Sequence, residues 1–157
     1  NRVTETLNVL AEISGKAVIF AVFQTDIEQL TKKIAEVYGD DSVASYYGKT
    51  SQKDREAILE NFQDLEHPLR FFVSNPHTGG RGLTLTAASH MIFYSNSYDL
   101  ELRIQAEDRI HRIGQDKSCT YVDLVCENTV DEKILASLKK KIAISNEVLG
   151  EVRQWFK

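Results

Sequence analysis

Only two cysteines and two prolines occur in the 157 residues. Cys119 and Cys126 lie in a segment that reads as a strand. At about 3.3 Å per residue they would stand roughly 23 Å apart, whereas a disulfide needs Cα atoms within about 7 Å. No Cys/His group has zinc-ligand spacing, so no metal site is expected and the thiols read as free, in a reducing compartment. No apolar run approaches the roughly 20 residues needed to span a bilayer. The opening Asn1-Arg2-Val3-Thr4 lacks a signal-peptide pattern and an initiating Met, so a piece of a longer intracellular protein is expected. A basic excess is missing too: 19 Lys and Arg face 23 Asp and Glu, a net charge of −4. Nucleic acid, if bound, must be met by a local patch. What is present, 42% hydrophobic and 27% charged residues, is ordinary for a globular domain.

There is no repeat, low-complexity tract or linker. Short apolar runs alternate with amphipathic stretches. Residues 3–14 read as a helix stopped by Gly15. Residues 17–22, Ala-Val-Ile-Phe-Ala-Val, suit a strand buried on both faces. Thr25 with Glu28 has the form of a capping box, and Ile27, Leu30, Ile34 and Val37 give the following helix its apolar face, closed by Gly39. A strand at 43–47, a helix capped by Ser51 with Ile58, Leu59 and Phe62 inward, strands at 69–73 and 91–94, a helix at 99–112 and a strand at 121–126 follow. Thr129 with Glu132 forms a second capping box, opening a helix that buries Ile134, Leu135, Leu138 and Ile142. This alternation predicts one three-layer α/β domain with a mostly parallel sheet. Working residues then belong in loops at the carboxyl ends of the strands.

Two stretches there could carry chemistry. Asn75-Pro76-His77-Thr78-Gly79-Gly80-Arg81-Gly82-Leu83-Thr84 puts three glycines in four positions. That lets backbone N–H groups approach an anion, although a tight turn explains the glycines equally well. In Gln105-Ala106-Glu107-Asp108-Arg109-Ile110-His111-Arg112-Ile113-Gly114-Gln115, a continuous helix would place Gln105, Arg109 and Arg112 on one face at i, i+4 and i+7. Ala106, Ile110 and Ile113 would dock the neighbouring face. Arginine suits bidentate phosphate contact; a solvated face neutralised by Glu107 and Asp108 is the plainer alternative. The glycine loop and the paired arginines together suggest a phosphate site.

The run Gly79 to Ala88 resembles motif V of superfamily 2 helicases. Gln105 to Gln115 resembles their motif VI in its SNF2 form, ending His-Arg-Ile-Gly-Gln. Lys16-Ala17-Val18-Ile19-Phe20 with Phe23-Gln24-Thr25 is similar to motif IV, and Tyr47-Gly48-Lys49-Thr50 with Arg55 and Phe62 to the next family segment. Thr129-Val130-Asp131-Glu132-Lys133-Ile134 is similar to the run after the last strand. The resemblance spans roughly residues 10–150 and identifies the C-terminal, second RecA-like lobe of an SNF2-type ATPase. It implies that Arg112 is the arginine finger, with Arg109 beside it at the γ-phosphate of ATP held on the first lobe. Such a finger is worth about 10³–10⁵ in rate in the best-studied cases. It further implies that Gly80, Gly82 and Gln105 belong to the nucleotide site. Gln24, Thr25, Lys49, Thr50 and Thr78 would meet the nucleic-acid backbone. The cofactors implied are ATP and Mg²⁺, the latter held mainly by the nucleotide and the absent lobe. The partners implied are DNA, double-stranded for a translocase, and the N-terminal RecA-like lobe of the same chain. Thr84 where the family commonly has Asn, and Arg81 where it has an aliphatic residue, suggest a compact bacterial or phage-type member, cytoplasmic; a eukaryotic member would be nuclear.

The chain contains no Walker A or Walker B. Gly48-Lys49-Thr50 imitates a P-loop end, but position 43, where the pattern needs glycine, is Val43. Residues 1–157 are therefore expected to be a helicase C-terminal domain that does not hydrolyse ATP alone. A strand-separating helicase lobe and a non-catalytic interaction module are the other readings. Lys139 to Lys141 read as a solvated face, Tyr46 and Tyr47 as packing residues, the four histidines as structural, and Trp155 with Phe156 as a seam toward absent chain.

Overall fold

The computed structural model describes residues 1–78 and 82–155. Helix α1 (Arg2–Glu12) leads into strand β1 (Lys16–Phe20), α2 (Gln24–Tyr38), β2 (Val43–Tyr46), α3 (Gln52–Gln63), β3 (Phe71–Ser74), β4 (Ala88–Phe93), α4 (Leu100–Glu107), β5 (Thr120–Asp123) and α5 (Val130–Trp155). The strands form one sheet in the order β2-β3-β1-β4-β5, and every pairing is parallel. This is the α/β architecture expected, with helices on both faces.

Side chains of a strand alternate between faces, which explains why the strands read as continuous apolar runs. Ala17, Ile19, Phe71, Val73 and Ile92 enter one core with Leu10, Ile27, Leu30 and Ile34 from α1 and α2. Val18, Phe20, Phe72, Met91 and Phe93 enter the other, with Phe62 of α3 and Ala106 of α4. Arg2 pairs with Asp131 and so ties α1 to the start of α5. Lys16, almost wholly buried, donates to the carbonyls of Asn61 (3.3 Å) and Asp64 (2.6 Å) and closes the end of α3.

Several local expectations hold. Ser51 caps α3 by accepting from the Asp54 N–H. Gly39 ends α2 at φ +98°, a left-handed backbone that favours glycine. Others need correction. α2 begins one residue before Thr25, with Phe23 at its cap and no side-chain cap bond, so the Thr25–Glu28 box does not form. Val37 is 59% exposed, because α2 has already turned it past the sheet. The strand expected at 17–22 is Lys16–Phe20, and that expected at 121–126 is Thr120–Asp123. At α5, the Thr129 hydroxyl takes the Asp131 N–H, but Glu132 reaches the N–H of Asn128 rather than of Thr129. Leu138 is buried whereas Ile142 is 40% exposed, so the inward stripe of α5 stops short of Ile142.

The helix expected at 99–112 ends at Glu107. Arg109 and Arg112 therefore do not stand on a helical face with Gln105. They project from the irregular turn beyond α4, where the N–H groups of Arg109 and Ile110 bond back to Ala106 and Glu107. Ile113, expected to dock, is fully exposed.

Candidate functional site

From β1 the chain leaves toward β2, and from β4 toward β5, so the connections diverge at the carboxyl ends of these neighbouring strands. That is where open parallel sheets leave a crevice for ligands. Side chains lock the crevice together. Ser95, after β4, accepts from the Val22 N–H at 2.8 Å. Asn75, after β3, donates to the Val22 carbonyl at 2.5 Å and accepts from the His77 N–H at 2.8 Å.

The residues flanking the glycine-rich segment stand next to this base. Gly79, Gly80 and Arg81 lie outside the described residues, but both flanks are placed. At the upstream flank, the Arg109 guanidinium donates to the carbonyls of Pro76 (2.8 Å) and Thr78 (3.3 Å) and lies 5.2 Å from the ring centre of Phe20. Arg109 is only 6% exposed, and burial pulls its pKa down. At the downstream flank, exposed Arg112 donates from one nitrogen toward Gly82 O (2.9 Å), Leu83 O (3.3 Å) and the Thr84 hydroxyl (3.4 Å). Gly82 has φ +95°, a bend that turns its carbonyl without the strain a side chain would bring. The two arginines thus grasp the loop at both ends. Among the described residues every acceptor they use is a neutral oxygen, and no carboxylate pairs with either.

The turn carrying them is itself fixed. Gln115 donates to the carbonyls of Ile110 (3.0 Å), Ala88 (2.7 Å) and Thr86 (3.2 Å). The Leu85 N–H bonds the Arg109 carbonyl at 2.9 Å. Upstream, Arg103 lies against the ring of Phe93 and binds Asp123 through two nitrogens (2.5 and 3.2 Å), Glu107 at 2.7 Å and Asn96 at 2.9 Å. Burial would lower the Arg103 pKa, but its two carboxylates raise it. Sequence reasoning passed over Arg103, although its i,i+4 spacing to Glu107 was visible. A cleft of about 610 Å³ opens beside the turn, lined by Gly82, Gln105, Arg109, His111 and Arg112 among others. Gln105 is exposed there, its amide on Glu101 at 3.0 Å. So Gly82, Gln105, Arg109 and Arg112 share one cleft, with Arg109 as its floor and Arg112 at its lip. Among the described residues no group of His, Cys, Asp or Glu could hold a metal ion.

The residues expected on nucleic acid are more scattered. Gln24 and Thr25 are exposed in the first turn of α2, and Lys49 is exposed after β2. Thr50 turns its hydroxyl inward, accepting from the Tyr47 N–H at 3.1 Å and donating to Ser45 O at 3.2 Å. Thr78 is half-buried and uses its carbonyl on Arg109. A second cleft, of about 470 Å³, runs along β2 past Tyr47, Lys49 and Thr50. Of the other side chains weighed, Tyr46 packs on Phe72 and Lys141 donates to Tyr98 O. The Trp155 side chain and Phe156 lie outside the described residues.

The sequence pattern of the family described as "Helicase conserved C-terminal domain" matches residues 1–114. The chromatin-remodeling ATPase INO80 of Arabidopsis thaliana is 37% identical over 102 residues, 65% of this chain and 7% of that protein. A SWI/SNF-related matrix-associated actin-dependent regulator of chromatin, subfamily A containing DEAD/H box 1 homolog, from Caenorhabditis elegans is 33% identical over 141 residues, 88% of this chain and 14% of that protein. The chain thus spans a small fraction of these relatives. Among solved structures, the C-terminal part of the Fun30 ATPase domain shares the fold with a TM-score of 0.76 at 24% identity, covering 87% of this chain and 44% of that one. The chain belongs to the helicase conserved C-terminal domain family, in its SNF2-type branch.

Proposed function

We propose that the chain is the second motor lobe of an SNF2-type, DNA-dependent ATPase that translocates along duplex DNA. ATP, carrying Mg²⁺, would bind the P-loop of an N-terminal RecA-like lobe and be covered by the cleft beside α4. The observation that carries this reading is Arg112: an exposed guanidinium at the cleft lip whose partners among the described residues are neutral oxygens. A phosphate offers a full charge and outcompetes those acceptors. Arg112 is thus free to reach the transferring phosphoryl group and stabilise its developing charge. Arg109, buried and satisfied, sets the floor from which Arg112 works, and its charge adds to the field at the γ-phosphate. Gly82 and Gln105 border the same space, and Gly80 belongs to the loop between.

DNA would be met on the backbone by Gln24, Thr25 and Lys49, with Thr50 and Thr78 shaping the track from the loops after β2 and β3. Such contacts fix position and carry no sequence information. With no P-loop in these residues, the lobe alone turns over no ATP. An intracellular site of action follows from ATP and DNA as substrates.

The test is ATP hydrolysis by the full-length protein, with and without duplex DNA, beside Arg112→Ala. Stimulation by duplex that the substitution abolishes supports the reading. Unchanged hydrolysis removes Arg112 from the mechanism, and no hydrolysis in either protein leaves an interaction module.

A further inference from the structure

One carboxylate outside the nucleotide cleft holds an unusual share of donors. Oε1 of Glu28 accepts from Gln24 Nε2 at 3.0 Å, the Tyr47 hydroxyl at 3.0 Å and Lys49 Nζ at 3.2 Å. The three donors come from the start of α2, the residue just after β2 and the loop that follows. All lie at the carboxyl edge of the sheet, and two of them were already candidates for nucleic-acid contact.

The loop presenting Tyr47 and Lys49 is built rather than slack. Thr50 bridges Tyr47 N and Ser45 O. Arg55 donates to the carbonyls of Tyr47 and Thr50, each at 3.0 Å. An amide, a hydroxyl and an ammonium converging on one anionic oxygen is also what a backbone phosphate oxygen requires. Holding Lys49 does not explain the arrangement, because an exposed ion pair contributes little stability. The three donors, Gln24 first, also hold the Glu28 carboxyl below its usual range, although burial acts the other way.

We propose that Glu28 is an internal competitor for a phosphate of the nucleic-acid backbone, occupying the donors of Gln24, Tyr47 and Lys49 until the strand displaces it. This rests on the nucleic-acid reading above and adds Tyr47 to the track. In a chain of net charge −4, the acid keeps the lobe's grip weak enough to be released at each step.

The experiment measures duplex DNA binding by the full-length protein across a salt series, for wild type, Glu28→Gln, Glu36→Gln and Glu28→Gln/Tyr47→Phe. Glu36 is the control: it lies on the same helix, pairs with Lys33 and is as exposed as Glu28, 47% against 46%. Freeing Lys49 adds about one phosphate contact, which steepens the log–log salt slope by about 0.9. Measured from a common affinity at about 1 M salt, that raises affinity roughly eightfold at about 0.1 M for Glu28→Gln. Tyr47→Phe in that background should take back about fivefold, one hydroxyl hydrogen bond. Glu36→Gln should move affinity less than about twofold, since its pair lies apart from the track. An unchanged or weakened Glu28→Gln overturns the proposal, as does an equal gain from Glu36→Gln. A shift in the KM for ATP in place of DNA affinity would assign the donors to nucleotide and overturn it too. A wild type that binds no DNA would instead bring down the nucleic-acid reading on which this rests.

Discussion

Arg109 and Arg112 should both be needed for hydrolysis yet differ sharply in what they do for the fold. Truncating Arg109 to Ala removes a guanidinium that is 6% exposed and leaves the carbonyls of Pro76 and Thr78 without their donor. Hydrogen bonds from a charged group contribute about 1.5–3 kcal/mol each, and a stranded buried carbonyl costs about 1–3 kcal/mol. The void left over Phe20 adds to the loss. Against this, the variant no longer buries a cation that has no carboxylate partner, which returns part of the desolvation cost. The net expectation is a loss of about 2–4 kcal/mol, or roughly 5–15 °C in Tm for a chain of this size. Arg112→Ala removes an exposed side chain whose bonds compete with water, and should cost under about 0.5 kcal/mol. Thermal and urea unfolding of the 157-residue chain reads the first half of the contrast. Hydrolysis by the full-length protein under conditions where both variants are folded reads the second. Equal stability of the two variants would refute the anchoring role of Arg109, and so would an Arg109→Ala protein that lost activity with its unfolding midpoint unmoved.

Two further substitutions test the supports of the fold. Arg103→Met leaves Asp123 and Glu107 without their shared cation; because both carboxylates keep some water, the cost should fall to about 2–3 kcal/mol, below that of a fully buried pair. Adding Asp123→Asn should restore more than about 1 kcal/mol in a double-mutant cycle, and a coupling near zero would sink the network. Asp131→Asn tests a pH effect. Burial would raise the Asp131 carboxyl, but the Cys126 N–H and Arg2 hold it below its usual range. A depressed folded pKa gives stability that is complete above the unfolded value of about 3.9 and lost as pH falls through the folded one. The gap between wild type and Asp131→Asn, about 1–2 kcal/mol at pH 7, should therefore hold to about pH 5 and shrink steadily as pH falls below about 4 in urea unfolding; a gap that widened with acid would contradict the assignment.

The sheet could be read from sequence because it is buried on both faces, which leaves runs such as Ala17 to Ala21 apolar at every position. The pair Arg109 and Arg112 was legible from its spacing, but its geometry was not. Extending α4 through Arg112 is what i, i+4 and i+7 invite, and nothing between Arg109 and Ile113 breaks a helix. The break comes from elsewhere in the chain: Arg109 must reach Pro76 and Thr78, and Leu85 must reach the Arg109 carbonyl. The same distant ties explain why Ile113 faces water. The cap at Thr25 failed for a local reason with a distant consequence. The helix starts earlier, and the Glu28 carboxylate that would have closed the box gathers donors from beyond β2 instead. Gln115 sat inside the most specific motif, yet no spacing rule shows that its single amide holds three carbonyls.

The hydroxyl of Thr50 has a consequence for how these chains behave in a crowd. Strand β2 lies at the margin of the sheet. The Arg70 N–H bonds Ser42 O, so even-numbered residues of β2 face β3 and the groups of Ser45 and Tyr47 point outward. An open margin of this kind invites another molecule's strand to add itself. Here one threonine, returning from the following loop, takes the Tyr47 N–H and the Ser45 carbonyl as a neighbouring strand would. The margin is left with little to offer a second chain, and a fold with two open sides is guarded on one of them against growing into a fibre.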